Sequence, residues 1–330
     1  MVNIGIVGSG TIVESFIEAA NANGDINIIS IYSRDKSSER IKYLMEKYSI
    51  IMAYSDYDEM LKNTMLDFIY VASPNTLHFE HSLKALEAGK NVICEKPFTS
   101  TKKEAKALYA AAKLNNKMIF EAIVNIHMPN FKLIRDLLPE LGQIRSIQLN
   151  YSQYSSRYDK FLAGETPNVF NPHFSGGALM DINIYNVHFM MGLFGEPLKH
   201  KYYPNIERGI DISGLLVMEY GGFFASLVGA KDTESDNFAV IQGEKGTLYI
   251  GNGANGCEYL ELKSNRQKRS IKYNLQHQTN GLYYEIGEFK RIYSEWDYDA
   301  FKELCEYSIS VISLVEDARK EAGILFAADK

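Results

Sequence analysis

The first 120 or so residues alternate short, β-rich apolar runs with helical stretches, and that rhythm restricts the fold more than any other feature of the chain. The runs are Asn3–Val7, Ile26–Tyr32, Asp67–Ala72, Asn91–Cys94 and Met118–Ala122. Between them lie Ile12–Asn23, Ser37–Tyr48, Asp56–Lys62, Thr76–Ala88 and Lys102–Asn116. Strands alternating with helices imply right-handed crossovers and a parallel sheet covered on both faces. The runs are nearly continuously apolar, as burial on two faces demands. After about residue 123 the pattern becomes one of successive strands: Ile144–Tyr154, Gly214–Tyr220, Phe223–Ala230, Phe238–Gln242, Thr247–Ile250, Tyr259–Lys263 and Ser270–Leu275. Gly221-Gly222 between two of them is a hairpin signal. A helix is expected near Ala178–Phe194, and the tail from about Trp296 to Ala322 reads as largely helical. The expected class is α/β: a first domain over residues 1–122, then an α+β domain over 123–330 with a large, mostly antiparallel sheet.

Length and charge narrow the function classes. At 330 residues the chain can build two cores. A net charge of −6 leaves no lysine or arginine excess to displace counterions, which argues against a nucleic-acid surface. Three cysteines, Cys94, Cys257 and Cys305, have no metal-ligand spacing and leave one over in any disulfide scheme, which fits a reducing cytoplasm. No apolar run reaches membrane-spanning length, and the first residues lack the basic-then-apolar order of a signal peptide.

The first run leads into Gly8-Ser9-Gly10-Thr11-Ile12 and then a helix. A glycine loop between a first strand and a first helix is the context in which such a pattern binds a dinucleotide. Gly8 permits a tight turn, and Gly10 lets a pyrophosphate approach N–H groups at the helix N-terminus. The first domain therefore reads as a Rossmann dinucleotide-binding domain. The end of the second strand selects the cofactor, and here it reads Tyr32-Ser33-Arg34-Asp35. A hydroxyl followed by a guanidinium suits a 2′-phosphate, so NADP(H) is favoured over NAD(H), while Asp35 keeps NAD open.

Two further features carry polar chemistry. Glu95-Lys96-Pro97 follows a buried run, at the carboxyl end of a strand where open α/β sheets bind ligands. The proline restricts the backbone and permits a cis bond, so the Lys96 ammonium is held in place. Within the otherwise apolar helix at Ala178–Phe194, Asp181, Tyr185 and His188 fall at i, i+4 and i+7, on one face. Such a stripe is either a satisfied core network or the wall of a polar cavity.

Together these residues resemble the Gfo/Idh/MocA family, named for glucose–fructose oxidoreductase and inositol dehydrogenase, over essentially the whole chain. The likeness comprises the glycine loop, Ser73-Pro74-Asn75 with His78, Glu95-Lys96-Pro97, Gly176-Gly177-Ala178-Leu179 leading to Asp181 and Tyr185, and Gly243-Glu244-Lys245-Gly246-Thr247. The resemblance implies an NAD(P)-dependent dehydrogenase or reductase acting on a small sugar, cyclic polyol or related secondary alcohol. It adds Ser73, Pro74, Asn75, His78, Glu95 and Lys96 to Ser33, Arg34 and the glycine loop as cofactor-site residues. It makes Lys96, Asp181 and Tyr185 the catalytic group, with His188 as a second candidate for the proton role. Tyrosine at position 185 places the chain on the branch that resembles dimeric dihydrodiol dehydrogenase. There are two departures from the family pattern: Asn183 stands where a glycine is usual, and Ile123–His127 lacks a common arginine. The first predicts a tilted catalytic helix, and the second removes a substrate contact. A homodimer or higher homo-oligomer is expected through the uncovered face of the second sheet. The rival reading is a non-catalytic NADP-sensing regulator on the same fold.

Overall fold

The computed structural model describes residues 1–330. In chain order the first part comprises β1 (Val2–Val7), α1 (Thr11–Asn23), β2 (Ile26–Tyr32), α2 (Glu39–Tyr48), β3 (Met52–Tyr54), α3 (Tyr57–Leu61), β4 (Phe68–Val71), α4 (His78–Glu87), β5 (Asn91–Glu95), α5 (Lys102–Leu114) and β6 (Ile119–Ala122). All six strands are parallel, in the order β3-β2-β1-β4-β5-β6. Every residue of β4, β5 and β6 is buried, as expected of strands covered on both faces. The order reverses between β1 and β4, and that crevice is where such sheets take ligands. The sequence reading omitted β3, which is three residues long, lies at the sheet edge and has no fully buried residue.

The second part contains α6 (Pro129–Leu137), β7 (Ile144–Ser152), α7 (Tyr158–Leu162), α8 (Ile184–Phe194), β8 (Lys199–Glu207), β9 (Ile210–Tyr220), β10 (Phe223–Ala230), β11 (Phe238–Gly243), β12 (Gly246–Gly251), α9 (Gly253–Gly256), β13 (Tyr259–Ser264) and β14 (Ser270–Tyr273). Its eight strands run β14-β13-β12-β11-β7-β10-β9-β8, antiparallel except for the parallel pair β7 and β10. The unforeseen β8 is an edge strand, carrying charges and Pro204, and it pairs only with β9. One face of the sheet packs under α8 and the turn before it. On the other face Tyr203, Phe224 and Val228 are 59%, 52% and 36% exposed.

The chain closes with α10 (Leu282–Glu295) and α11 (Tyr298–Glu321). Two compact units result, Met1–Ala122 with Asn280–Ile312, and Ile123–Thr279 with Ser313–Lys330. The first break falls after Ala122. Residues 280–312, grouped by the sequence reading with the second domain, pack instead on the first sheet. The reason is apolar burial: Leu282, Ile286, Phe289 and Ile292 make one buried stripe on α10. Phe289 stacks on Phe120 of β6 at 4.7 Å between ring centroids. Asn280 and Asn23 add hydrogen bonds between the two segments, to the carbonyls of Ser15 (2.7 Å) and Tyr283 (2.9 Å). No helix is long and apolar enough to cross a membrane.

Candidate active site

In the first unit, a cleft of about 390 Å³ opens where the strand order reverses. It is lined by Val7, Gly8, Ser9 and Gly10 after β1, Tyr32 to Arg34 after β2, Ala72 to Pro74 after β4, and Leu77 and His81. Gly8 sits at φ +116°, and a Cβ there would collide with the Ala72 carbonyl, so the turn admits glycine alone. A Cβ on Gly10 would meet nothing within 4 Å: space beside this backbone is open at the N-terminus of α1. That is the arrangement a pyrophosphate needs against helix N–H groups. Thr11 and Ile12 form the first turn of α1, with Ile12 36% exposed. Arg40, absent from the sequence reading, supports the loop from α2 by donating to the carbonyls of Ser9 (3.0 Å) and Gly10 (3.3 Å).

The cofactor-selecting residues separate by orientation. Ser33 and Arg34 line the cleft. Asp35 does not: its carboxylate accepts from the Ser37 N–H (3.0 Å) and hydroxyl (2.6 Å), and these bonds hold it below the usual carboxylate range. The acid is thus committed to its own turn, and Arg34 is the member of the pair on the cleft wall. The residues present fit a 2′-phosphorylated dinucleotide.

Ser73 and Pro74 line the cleft, whereas Asn75 opens a short turn, Asn75–Leu77, beyond it. His78 is buried behind that turn, with its ring nitrogens 2.9 Å from the carbonyl oxygens of Ser73 and Pro97. Burial pushes its pKa down to about 4, against the opposing pull of those two carbonyls. His78 therefore joins two loops instead of lining the cleft. His81, unremarked in the sequence, reaches the Ser73 hydroxyl through Nδ1 at 3.0 Å and packs edge-on to Tyr57. At the end of β5 the Lys96–Pro97 bond is cis, and Lys96 is half-buried. The Glu95 carboxylate turns into the unit's interior, where it accepts from the Tyr70 hydroxyl at 2.6 Å. Burial raises its pKa, and the bond from Tyr70 works against that rise.

In the second unit, the helix expected over Ala178–Phe194 begins as a π-turn, Leu179–Asn183, and becomes α-helical only at Ile184. Such turns insert a residue into the helical repeat and recur at functional sites. The i, i+4, i+7 relation of one straight α-helix accordingly does not connect Asp181 to His188. Asp181 and Tyr185 are half-buried, whereas His188 is fully buried. The Tyr185 carbonyl accepts from Asn125 (2.9 Å), and its ring meets Tyr151 edge-on at 5.7 Å. Asn125 lies in the segment Ile123–His127, which thereby anchors the backbone of Tyr185.

Asn183, which stands where the family has a glycine, has room because the small residue is on the opposing strand. A Cβ on Gly229 of β10 would collide with Asn183. The Asn183 amide donates to the Leu227 carbonyl (3.1 Å), and Asn186 bridges the Asn183 Oδ1 (2.9 Å) and the Val228 carbonyl (3.1 Å). The substitution thus seats the turn on β10 through a buried amide pair.

The start of the π-turn is held by Asp211 of β9, which accepts from the Leu179 N–H and the Tyr202 hydroxyl, both at 2.7 Å. Burial raises Asp211 to about 6, against those two bonds and the positive charge of Lys231. Lys231, next after β10, is the buried charge that the sequence least foretells. Its ammonium lies 2.6 Å from Asp181 Oδ2 and 2.8 Å from the Val169 carbonyl. A charged residue ending a strand reads as a solvated turn; only the fold reveals that its side chain points inward. Before this helix, Phe170 is buried core and Arg157 is exposed, while Asn168 opens the short turn Asn168–Phe170.

Comparison with known proteins follows the same division of the chain. The model of the oxidoreductase family with an NAD-binding Rossmann fold matches residues 2–123, and that of the GFO/IDH/MocA C-terminal domain matches residues 132–249. The chain is 35% identical over 332 residues to the scyllo-inositol 2-dehydrogenase (NADP(+)) IolU of Bacillus subtilis, covering 100% of both chains. It is 25% identical over 341 residues to trans-1,2-dihydrobenzene-1,2-diol dehydrogenase of Mus musculus, covering 99% of this chain and 98% of the mouse protein. Among solved structures, KijD10, a 3-ketoreductase from Actinomadura kijaniata in complex with NADP and TDP-benzene, superposes with a TM-score of 0.84 at 22% identity over 97% of each chain, a likeness of fold. On its glycine loop, its two matched domains and its full-length relatives, the chain belongs to the Gfo/Idh/MocA family of oxidoreductases.

Proposed function

We propose that the chain is an NADP(H)-dependent dehydrogenase or reductase that interconverts a secondary alcohol and a carbonyl on a sugar, cyclic polyol or dihydrodiol-like substrate. The observation that carries this reading is the cleft at the strand reversal, with Arg34 on its wall and the Asp35 carboxylate turned into its own turn. Full-length similarity to an enzyme named for scyllo-inositol and NADP(+) supports both the cofactor and the substrate class.

Gly8, Ser9, Gly10, Thr11 and Ile12 would hold the pyrophosphate, Ser33 and Arg34 the 2′-phosphate, and Ser73 and Pro74 the opposite wall. When bound, NADP(H) supplies or accepts the hydride. The chain's own residues manage the proton. Lys96, on a short loop at the end of a buried strand, stabilises negative charge on the reacting oxygen. Tyr185 is the proton carrier, since it is half-exposed while His188 is sealed in the interior. Asp181 accepts from a substrate hydroxyl. The first unit is thus the dinucleotide-binding domain, and the second provides substrate binding and oligomerisation.

The test is Lys96→Ala, assayed against a panel of keto-polyols, ketoses and cyclic diols. Turnover should fall by a factor of about 10²–10³, while NADPH still binds, as followed by fluorescence. Full activity in that variant would remove the mechanism.

The uncovered sheet face, with Tyr203, Phe224 and Val228 exposed, supports assembly into a homodimer or higher oligomer. Three buried thiols, none in a disulfide, support a cytoplasmic location.

A further inference from the structure

Lys231 is a buried cation that the proposed chemistry does not yet use. Its side chain is 3% exposed, and its ammonium is held by the Asp181 carboxylate (2.6 Å), the Val169 carbonyl (2.8 Å) and the face of the Phe170 ring (4.6 Å). Its own backbone N–H is tied to Ile212 of β9 at 2.9 Å. One side chain therefore ties together the end of β10, the segment Asn168–Phe170 and the π-turn that carries Asp181.

Stability does not explain such a residue. Desolvating a buried ion pair costs about as much as the pair returns, and well-packed apolar groups often do better. What the pair supplies is a fixed position and a fixed charge for one carboxylate. The two partners differ in access: the Asp181 side chain is 26% exposed, and Lys231 is not available to solvent. A carboxylate has lone pairs on two oxygens, so one bond from Lys231 does not exhaust its capacity to accept. Asp211 reinforces the arrangement by bonding the Leu179 N–H two residues before Asp181, and it also feels the charge of Lys231.

We propose that Lys231 is a positioning residue for Asp181, and that their ion pair selects substrates bearing a hydroxyl beside the reacting carbon. This rests on the dehydrogenase reading above and narrows it. An accepting carboxylate locked in one place rejects an analogue without that hydroxyl, because a carboxylate that the bound substrate shuts off from water then loses its partner.

The experiment compares Lys231→Met, Lys231→Arg, Asp181→Asn and the double variant Lys231→Met/Asp181→Asn. Each is assayed on a keto-polyol and on its deoxy analogue lacking the neighbouring hydroxyl, with NADPH affinity measured separately by fluorescence. Lys231→Met should lower kcat/KM for the polyol by about tenfold or more and leave the deoxy analogue within about twofold. NADPH affinity should not change, and Lys231→Arg should recover part of the preference. The double variant should be no worse than Asp181→Asn, because the lysine acts through the aspartate. If Lys231→Met does not fold, Asp181→Asn against the double variant, which removes both charges, still decides the matter. Wild-type preference in Lys231→Met, equal loss on both substrates, or a double variant losing the product of the single losses would overturn the inference. A wild type that turns over nothing on the panel would remove the functional reading as well, and that outcome is distinct from the others.

Discussion

In the proposed reading, cofactor choice comes down to two adjacent residues. Arg34 is on the cleft wall, and Asp35 is consumed by Ser37. Arg34→Ala should weaken NADP(H) binding by about 10- to 100-fold, the worth of a charged hydrogen-bonded contact, and leave NAD(H) binding nearly unaffected. Titration with both cofactors checks this, and a parallel loss of both would assign Arg34 a structural role. The cleft positions of Gly8, Gly10 and Arg34 were legible in the sequence, because each stands between a strand and a helix. Lys231 and Arg40 were not. Each is a charged side chain in a stretch where surface exposure is the natural expectation, and each acts through contacts at long sequence separation.

At the scale of the element, the turn that carries Asp181 is held by a titrating group on β9. The Asp211 carboxyl is raised from 3.8 to about 6 by burial. Between those values the folded protein keeps the proton while the unfolded chain has released it. Stability therefore falls as pH rises through that window, by roughly 3 kcal/mol in all, and this contribution is constant on either side. Urea denaturation of wild type and Asp211→Asn at pH 4, 5, 6 and 7 should show that difference between the two proteins changing across the window; parallel curves would exclude it. The helix itself was readable as an apolar run, but its first five residues were not readable as a π-turn. Periodicity assumes one repeat, and the wider turn depends on Asp211 and Gly229 from strands distant in sequence. The same limit hid β8 and α10. The first looks polar because it is an edge, and the second is amphipathic toward a sheet whose last strand ends more than 150 residues earlier.

For the whole molecule, the open question is what covers the second sheet. Tyr203, Phe224 and Val228 lie on one side of strands β8 and β10 and remain exposed in the single chain. The double substitution Phe224→Asp/Val228→Asp should convert a dimeric or larger wild type into a monomer by light scattering, with secondary structure retained. A wild type that is monomeric at micromolar concentration would refute the proposed interface. The parallel sheet was evident from the strand–helix rhythm, and the antiparallel one from its closely spaced turns. The division of the tail was hidden, because a helical pattern says which face is apolar and not which sheet will receive it.

The return of α10 to the first unit also has a consequence during synthesis. All six strands of the first sheet are synthesised before any of Ile123–Thr279, and the helix that stacks Phe289 on Phe120 is made only afterwards. At ordinary elongation rates that interval lasts about 8 to 30 s. Throughout it Phe120 lacks the ring that stacks on it in the folded unit. The order in which the chain is made thus works against the order in which its first core can close.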